Sequence, residues 1–311
     1  MGMILKNMSK LTVMCGLPAS GKSTRSMEIM RERGNTVRIN KDLLRKMLHF
    51  DTFSGRNESL TRDAARALAR AFLQDGVNVI IDDTNLNPRT FQSWTDLAKE
   101  LGVKTEVIDL TDVPVEKCVQ RDAERSDSVG GTVIKNMALR YGLQPIPDKG
   151  FVVVDLDGTI ADCEHRRHFV AQTPKDWRGF FAHMSEDPLR VEVASMVIDY
   201  YNRMHQIIYV SARPEDYRDV TLQWLKDKNM SFGWTLLMRK SGDKRPDVEV
   251  KQEIYDTYLK RYPIEVVIDD RPQVLSEVWI PALGKDRVID VGNNRSFIEE
   301  RKRLDYWTTE L

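Results

Sequence analysis

Two short stretches of this 311-residue chain have residue types and spacings suited to phosphate chemistry. The first runs from Gly16 to Thr24 and reads GLPASGKST. Its glycines let successive backbone N–H groups turn inward around an anion, and a helix starting at the lysine adds its dipole. Lys22 is placed to reach the outer phosphates of a nucleotide, and the Ser23 hydroxyl to hold Mg²⁺. Gly16, Ser20, Gly21, Lys22, Ser23 and Thr24 are therefore the candidate nucleotide contacts. The second stretch, DLDGT, begins at Asp155. Two carboxylates at i and i+2 on an exposed strand end need a cation to relieve their repulsion. With Mg²⁺ there, Asp155 can attack a phosphate and form an acyl-phosphate, while Asp157 protonates the departing oxygen.

Each stretch ends a short apolar run rich in β-branched residues (11–15 and 151–154), the pattern of a buried parallel strand. Open α/β sheets gather their chemistry at such strand ends. In the first half, helices over 24–33, 58–73, 89–101 and 115–124 alternate with strands over 36–40, 77–81 and 104–110. Asp42 follows the second strand and faces the same sheet edge as the glycine-rich loop. There it can orient an alcohol and take its proton, or simply cap a helix. Arg45 lies one helical turn on. The strand at 77–81 closes on Asp82-Asp83-Thr84-Asn85, where a metal or an acceptor is commonly met. Arg121 and Arg125 sit one turn apart before a loop at 126–131. They can close over ATP phosphates and stabilise transition-state charge, or merely complement a helix dipole. Arg62, Arg66 and Arg70 line one side of the long helix, either as a solvated face or as a track for a phosphate backbone.

A Pro/Gly-rich joint at 143–150 separates the halves. Beyond DLDGT, a strand at 206–210 ends in Ser211 with Arg213 after it, and a helix is expected over 251–261. A strand at 265–268 ends in Asp269-Asp270-Arg271. The run DCEHRRH from Asp162 lacks the spacing of a zinc site; Arg166 and Arg167 read instead as groups recognising a substrate phosphate. Phe169, Trp177, Phe180 and Phe181 suit the core of a small helical cap over the site. Residues 296–311 read as a helix for packing or oligomerisation.

The expected fold class is α/β, with two domains at 1–143 and 144–311, each a mainly parallel sheet flanked by helices. The content, 41% hydrophobic and 30% charged, is that of a soluble protein with no membrane span. Cys15, Cys118 and Cys163 are too few and scattered for a disulfide framework, which suits a reducing cytoplasm. A net charge of zero argues against a surface that coats nucleic acid, so any such contact would be a local groove capturing an end.

DLDGT resembles the opening motif D-x-D-G-[TS] of the haloacid-dehalogenase-like phosphatases. That resemblance implies that Ser211 holds phosphoryl oxygens and that Lys251, with Lys244 as runner-up, offsets the nucleophile's charge. It also implies Asp269 and Asp270 as partners of Asp155 and Asp157 in the Mg²⁺ site. Taken together, GLPASGKST, INKDLLR, IIDDTNLNP, Arg121 and Arg125, DLDGT, VSAR and IDDR resemble the bacteriophage polynucleotide kinase/3′-phosphatase family in the same order. This implies a P-loop kinase fold joined to a haloacid-dehalogenase-like fold with a small helical cap. It implies Asp42 as general base for a 5′-hydroxyl, Arg45 and Asp83 around the acceptor, and Arg166 and Arg213 on a 3′-phosphate. The expected activity is ATP-dependent phosphorylation of 5′-OH ends and removal of 3′-phosphates, extending to 2′,3′-cyclic phosphates. Such healing prepares RNA or DNA ends for a ligase in the cytoplasm of a host cell. A small-molecule kinase fused to a metabolite phosphatase is the main rival, and a nucleotide-gated binding module a weaker one.

Overall fold

Strand β1 (Lys10–Cys15) is buried along its middle four residues because it has a strand on each side and helices above and below, which demands apolar side chains on both faces. In the computed structural model of the chain, residues 9–292 are described, and they divide into two units between Leu143 and Gln144. The first unit runs β1, α1 (Lys22–Arg33), β2 (Thr36–Ile39), α2 (Lys41–His49), α3 (Gly55–Gln74), β3 (Asn78–Ile81), α4 (Pro88–Leu101), β4 (Lys104–Asp109), α5 (Val115–Ala123) and α6 (Gly131–Tyr141). Its four strands are parallel in the order β2-β3-β1-β4. Leu11, Val13, Val79 and Ile81 pack against Trp94, Leu97, Ala65 and Ala69 from α4 and α3. On the other face, Met14 and Ile80 meet Ile29 of α1. Alternate residues of one strand thus serve two cores.

The second unit is built on β5 (Phe151–Asp155), every residue of which is buried. Then come α7 (His168–Ala171), α8 (Trp177–Ala182), α9 (Val191–Asn202), β6 (Gln206–Pro214), α10 (Arg218–Asp227), β7 (Thr235–Arg239), α11 (Asp247–Ile254), β8 (Ile264–Asp269) and β9 (Val288–Asp290). The strands are parallel in the order β7-β6-β5-β8-β9. From β5 the chain winds out to β6 and β7, then crosses back to β8 and β9. The winding therefore reverses between β5 and β8, where a crevice opens at the strand ends. Asp155 ends β5 and Asp269 ends β8, so the topology alone sets these two carboxylates side by side.

Several expectations shift. Lys251 sits on the second turn of α11, which starts at Asp247 behind Pro246, rather than opening a helix at 251. The helix α6 opens at Gly131, within a Gly130-Gly131 pair that reads as loop, and the sequence reading also lacks the strands β7 and β9; β9 has only three residues. The tail at 296–311 lies outside the described residues. In the cap segment Phe180 is buried, whereas Trp177 is half exposed and stacks on Phe181. Among the described residues, no helix is long and apolar enough to cross a membrane.

Leu97 is fully buried in the core of the first unit. Leu97→Ala is expected to cost about 2–5 kcal/mol of stability through the lost methylenes and the cavity they leave, measurable by urea unfolding.

Candidate active sites

In the first unit the loop between β1 and α1 closes on itself. Gly16 adopts φ +150°, and a Cβ there would press to 2.7 Å of Ser20 Oγ. Gly21 has φ +103°, and a Cβ there would be 4.0 Å from Arg121 Nη1, so the Arg121 guanidinium lies over the loop. Lys22 opens α1 and curls back, donating to the carbonyls of Gly16, at 3.0 Å, and Leu17. Burial lowers its pKa, with Asp82 the strongest opposing charge. Arg125 is turned instead to Asp127, at 3.0 and 2.7 Å. Asp122, between the two arginines, accepts from Ser128 Oγ and from the backbone of Val129 and Gly130, which shapes the loop at 126–131.

Asp42 is not the helix cap: Asn40 is, accepting from Leu43 N at 3.0 Å. The Asp42 carboxylate is 78% exposed, held by Arg45 Nη1 at 2.8 Å. Arg45 in turn forks onto Glu58 of α3, a partner the sequence did not suggest. Asp83 is buried, and its Oδ1 accepts from the Lys41 backbone N–H at 3.0 Å at the start of α2, while its Oδ2 has no hydrogen bond. Burial pushes its pKa up. The rest of DTNLNP is scaffolding too. The carbonyl of Thr84 receives Gly16 N–H at 3.0 Å, Asn85 Nδ2 donates to Met14 O at 2.8 Å, and Asn87 caps α4 with Pro88 in its first turn. The three arginines read either as a solvated face or as a backbone track each make an internal contact. Arg66 donates to Ser93 O, Arg70 pairs with Glu100, and Arg62 donates to Ser59.

In the second unit, carboxylate oxygens of Asp155, Asp269 and Asp270 all lie within 4.8 Å of one another. Lys251 Nζ reaches Asp155 Oδ1 at 2.7 Å and Asp269 Oδ2 at 2.6 Å, while Thr159 Oγ1 is 3.1 Å from both Asp155 Oδ2 and Asp270 Oδ1. Three carboxylates around one ammonium leave an excess of negative charge, which fits a divalent cation with oxygen ligands. Burial pushes Asp155 above the usual carboxylate range, against the pull of Lys251. Asp269 is the most committed of the three, since it also accepts from Trp279 Nε1 at 3.0 Å and Arg271 N at 3.0 Å. Gly158 is at φ +84°, and any Cβ there would overlap the Asp270 carboxylate. The glycine of DLDGT is thus required by the approach of Asp270.

Asp157 departs from expectation. Its side chain is not in the acidic cluster proposed for the metal but in a network of two arginines. Arg213 donates to it from Nε at 2.9 Å and Nη2 at 2.6 Å, and Arg166 adds a third contact through Nη2. Burial pushes Asp157 up, but Arg213 and Arg166 outweigh it and hold the carboxyl down to about 2. Neither arginine reaches out toward solvent; both are fully buried, and both also bind Asp187, at 2.6 and 3.0 Å. Arg166 further lies 4.1 Å over the Phe180 ring. Asp187, which also meets His165 at 3.0 Å, was missed: in the run SEDPL nothing marks one acid above its neighbours. Ser211 is buried on β6, next to β5, with its Oγ accepting from Arg213 N at 3.1 Å. Lys244, the alternative to Lys251, appears in none of these contacts. Arg167 pairs with Glu164 at 3.0 Å near the surface.

Residues 11–143 match the AAA domain family model, and residues 149–282 match the model of the polynucleotide kinase PNKP phosphatase domain. Each match covers less than half of the chain, one in each structural unit. A putative bifunctional polynucleotide kinase/RNA ligase of Autographa californica nuclear polyhedrosis virus is 25% identical over 303 residues, covering 88% of this chain and 41% of that protein. An L-seryl-tRNA(Sec) kinase of Methanococcus maripaludis is 29% identical over 135 residues, 42% of this chain and 52% of that protein. The chain thus spans about half or less of each of these relatives. A chain in a Pnkp1/Rnl/Hen1 RNA repair complex is similar at 26% identity and a TM-score of 0.40, with 92% of this chain and 96% of that one covered. The match at 149–282 contains the acidic cluster and the arginine network together, and the match at 11–143 contains the loop, Asp42, Arg121 and Arg125.

Asp187→Asn is expected to leave two buried guanidinium groups sharing one carboxylate, at a cost of about 3–5 kcal/mol. Urea unfolding of the variant checks this. Gly158→Ala is expected to displace the Asp270 carboxylate and weaken divalent-cation binding at the acidic cluster, read by calorimetric titration of Mg²⁺ into the chain.

Proposed function

We propose that the chain heals nucleic-acid ends, phosphorylating 5′-hydroxyls from ATP in its first unit and hydrolysing 3′-phosphates in its second. The observation that carries this reading is the pairing, in one chain, of a phosphate-binding loop beside an exposed carboxylate with a Lys251-balanced aspartate cluster of PNKP type. An open Asp42 suits an acceptor too large to be enclosed.

In the kinase unit Lys22 would leave the carbonyls of Gly16 and Leu17 for the donor phosphates, and Arg121 already lies over the loop. Arg125 would exchange Asp127 for phosphate oxygens. Asp42 would accept the proton of the 5′-hydroxyl, with Arg45 fixing its orientation. ATP is the phosphate donor in this reading, and Mg²⁺ bound at each site would neutralise phosphate charge.

In the phosphatase unit Asp155 would attack phosphorus, forming an acyl-phosphate and expelling the strand's 3′-oxygen. Asp157 would hand that oxygen a proton, then take one from the water that hydrolyses the acyl-phosphate. A carboxylate held near 2 carries no proton at neutral pH, so it must gain one when substrate arrives. The charge balance supplies the reason. Arg166 and Arg213 are matched by Asp157 and Asp187, and an incoming phosphate competes for both guanidinium groups. As they turn to phosphate, Asp157 loses the stabilisation of its charged form and takes up a proton. Ends healed in this way are what an RNA or DNA ligase seals, which makes a ligase the functional partner of the reaction.

An oligonucleotide with a 5′-hydroxyl and a 3′-phosphate, given ATP and Mg²⁺, is expected to undergo both conversions, and parallel RNA and DNA versions establish the preference. Turnover of small sugars or nucleosides with neither end converted would overturn the reading. Lys22→Ala should cut 5′ transfer by about 10²–10³-fold and leave 3′ release intact. Asp155→Asn should remove the nucleophile and abolish 3′ release with 5′ transfer intact.

A further inference from the structure

Strand β2 carries an arginine that the kinase reading leaves without a role. Arg38 Nε donates to Asp82 Oδ2 at 2.6 Å, and its Nη2 reaches Ser23 Oγ at 3.3 Å. Asp82 follows β3 directly and is only 1% exposed, yet its Oδ1 is buried and accepts no hydrogen bond among the described residues. Buried acceptors are almost always satisfied, so a carboxylate with one oxygen engaged and the other open marks a place for a further cation or donor. Asp83 Oδ2 is likewise buried without a hydrogen bond, but it already faces the Lys41 ammonium at 3.6 Å, and Asp83 Oδ1 accepts from the Lys41 backbone at 3.0 Å; what distinguishes Asp82 is its bridge through Arg38 to Ser23 of the phosphate loop. A phosphate-loop hydroxyl and a strand-end carboxylate are the two groups that hold Mg²⁺ in nucleotide-binding loops of this kind, and the Arg38 guanidinium bridges these same two groups.

We propose that Asp82, rather than Asp83, is the carboxylate through which the kinase unit holds its divalent cation, and that Arg38 is a built-in counter-cation for it. Without the cation, Arg38 keeps the buried Asp82 charge paired and the Ser23 hydroxyl engaged. When the cation loads with nucleotide, Arg38 must release both. At 21% side-chain exposure it has solvent on one side into which to move. The exchange conserves local neutrality: one positive charge leaves Asp82 as another arrives, so the loop never buries an unpaired carboxylate. The inference rests on the kinase reading of this unit.

The test is calorimetric titration of ADP into the full chain, with EDTA and then across a Mg²⁺ series. The ratio of the two affinities reads cation coupling at the kinase site alone, and phosphate release from p-nitrophenyl phosphate confirms that the chain is folded. Asp82→Asn is expected to reduce the Mg²⁺ enhancement of ADP affinity by about tenfold or more while metal-free binding is retained or improved. Arg38→Gln should lower the Mg²⁺ concentration for half-maximal enhancement by about threefold or more, since the competitor is gone. Full enhancement in Asp82→Asn, or its loss in Asp83→Asn instead, overturns the assignment of Asp82. An unchanged or increased Mg²⁺ requirement in Arg38→Gln overturns the counter-cation role. Failure of the unaltered chain to bind ADP at all would count against the kinase reading itself, a separate outcome.

Discussion

The Lys251 ammonium lies between Asp155 and Asp269 with almost no solvent around it, and none of the three charges could be buried alone without a penalty of several kcal/mol. Their meeting brings together the end of β5, the end of β8 and the second turn of α11, so the packing of three elements and the chemistry of the site are one constraint. Trp279 extends it by donating to the same Asp269 oxygen. The arginine network follows the same rule a few residues away, with two guanidinium groups and two carboxylates closed on each other. In the first unit Lys22 rests on loop carbonyls and Arg38 on Asp82. At both sites, then, the phosphate-seeking cations are stored on internal acceptors. In the function proposed above, substrate binding is an exchange of partners within a charged cluster rather than the burial of new charge.

The parts legible in sequence were those whose chemistry is local. Strand, loop and helix around Lys22 lie within about two dozen consecutive residues, and the apolar run into Asp155 declares both its burial and its exposed end. Asp269 and Asp270 were visible for the same reason, as acids closing an apolar run. What escaped was long-range. Asp187 finds Arg166 and Arg213 only after the chain folds back across 21 and 26 positions. Glu58 reaches Arg45 across 13 positions and Trp279 reaches Asp269 across 10, shorter spans that still join separate elements. The role of Asp157 was read from spacing as metal-directed. Asp157 lies past the end of β5, so the alternation of the strand no longer sets its direction, and it meets Arg213 and Arg166 instead.

The segment DTNLNP shows how a motif can be informative for an indirect reason. Asp83 is expected around the acceptor, with its neighbours at a metal or an acceptor, yet most residues of the segment also brace the fold. Asp83 secures the first turn of α2, Thr84 and Asn85 bind the end of β1 and the loop after it, and Asn87 with Pro88 starts α4. The acceptor carboxylate Asp42 and the nucleotide loop are thereby fastened to one short connector.

That fastening has a metric consequence. β1 and β3 are adjacent in the sheet, and neighbouring strands keep a spacing of about 4.8 Å that the backbone hydrogen bonds do not let vary. The donor loop hangs from the first strand, and the helix carrying Asp42 is pegged to the second. In the kinase reading proposed above, the pitch of the β-sheet thus helps to set how far the acceptor carboxylate stands from the donor loop.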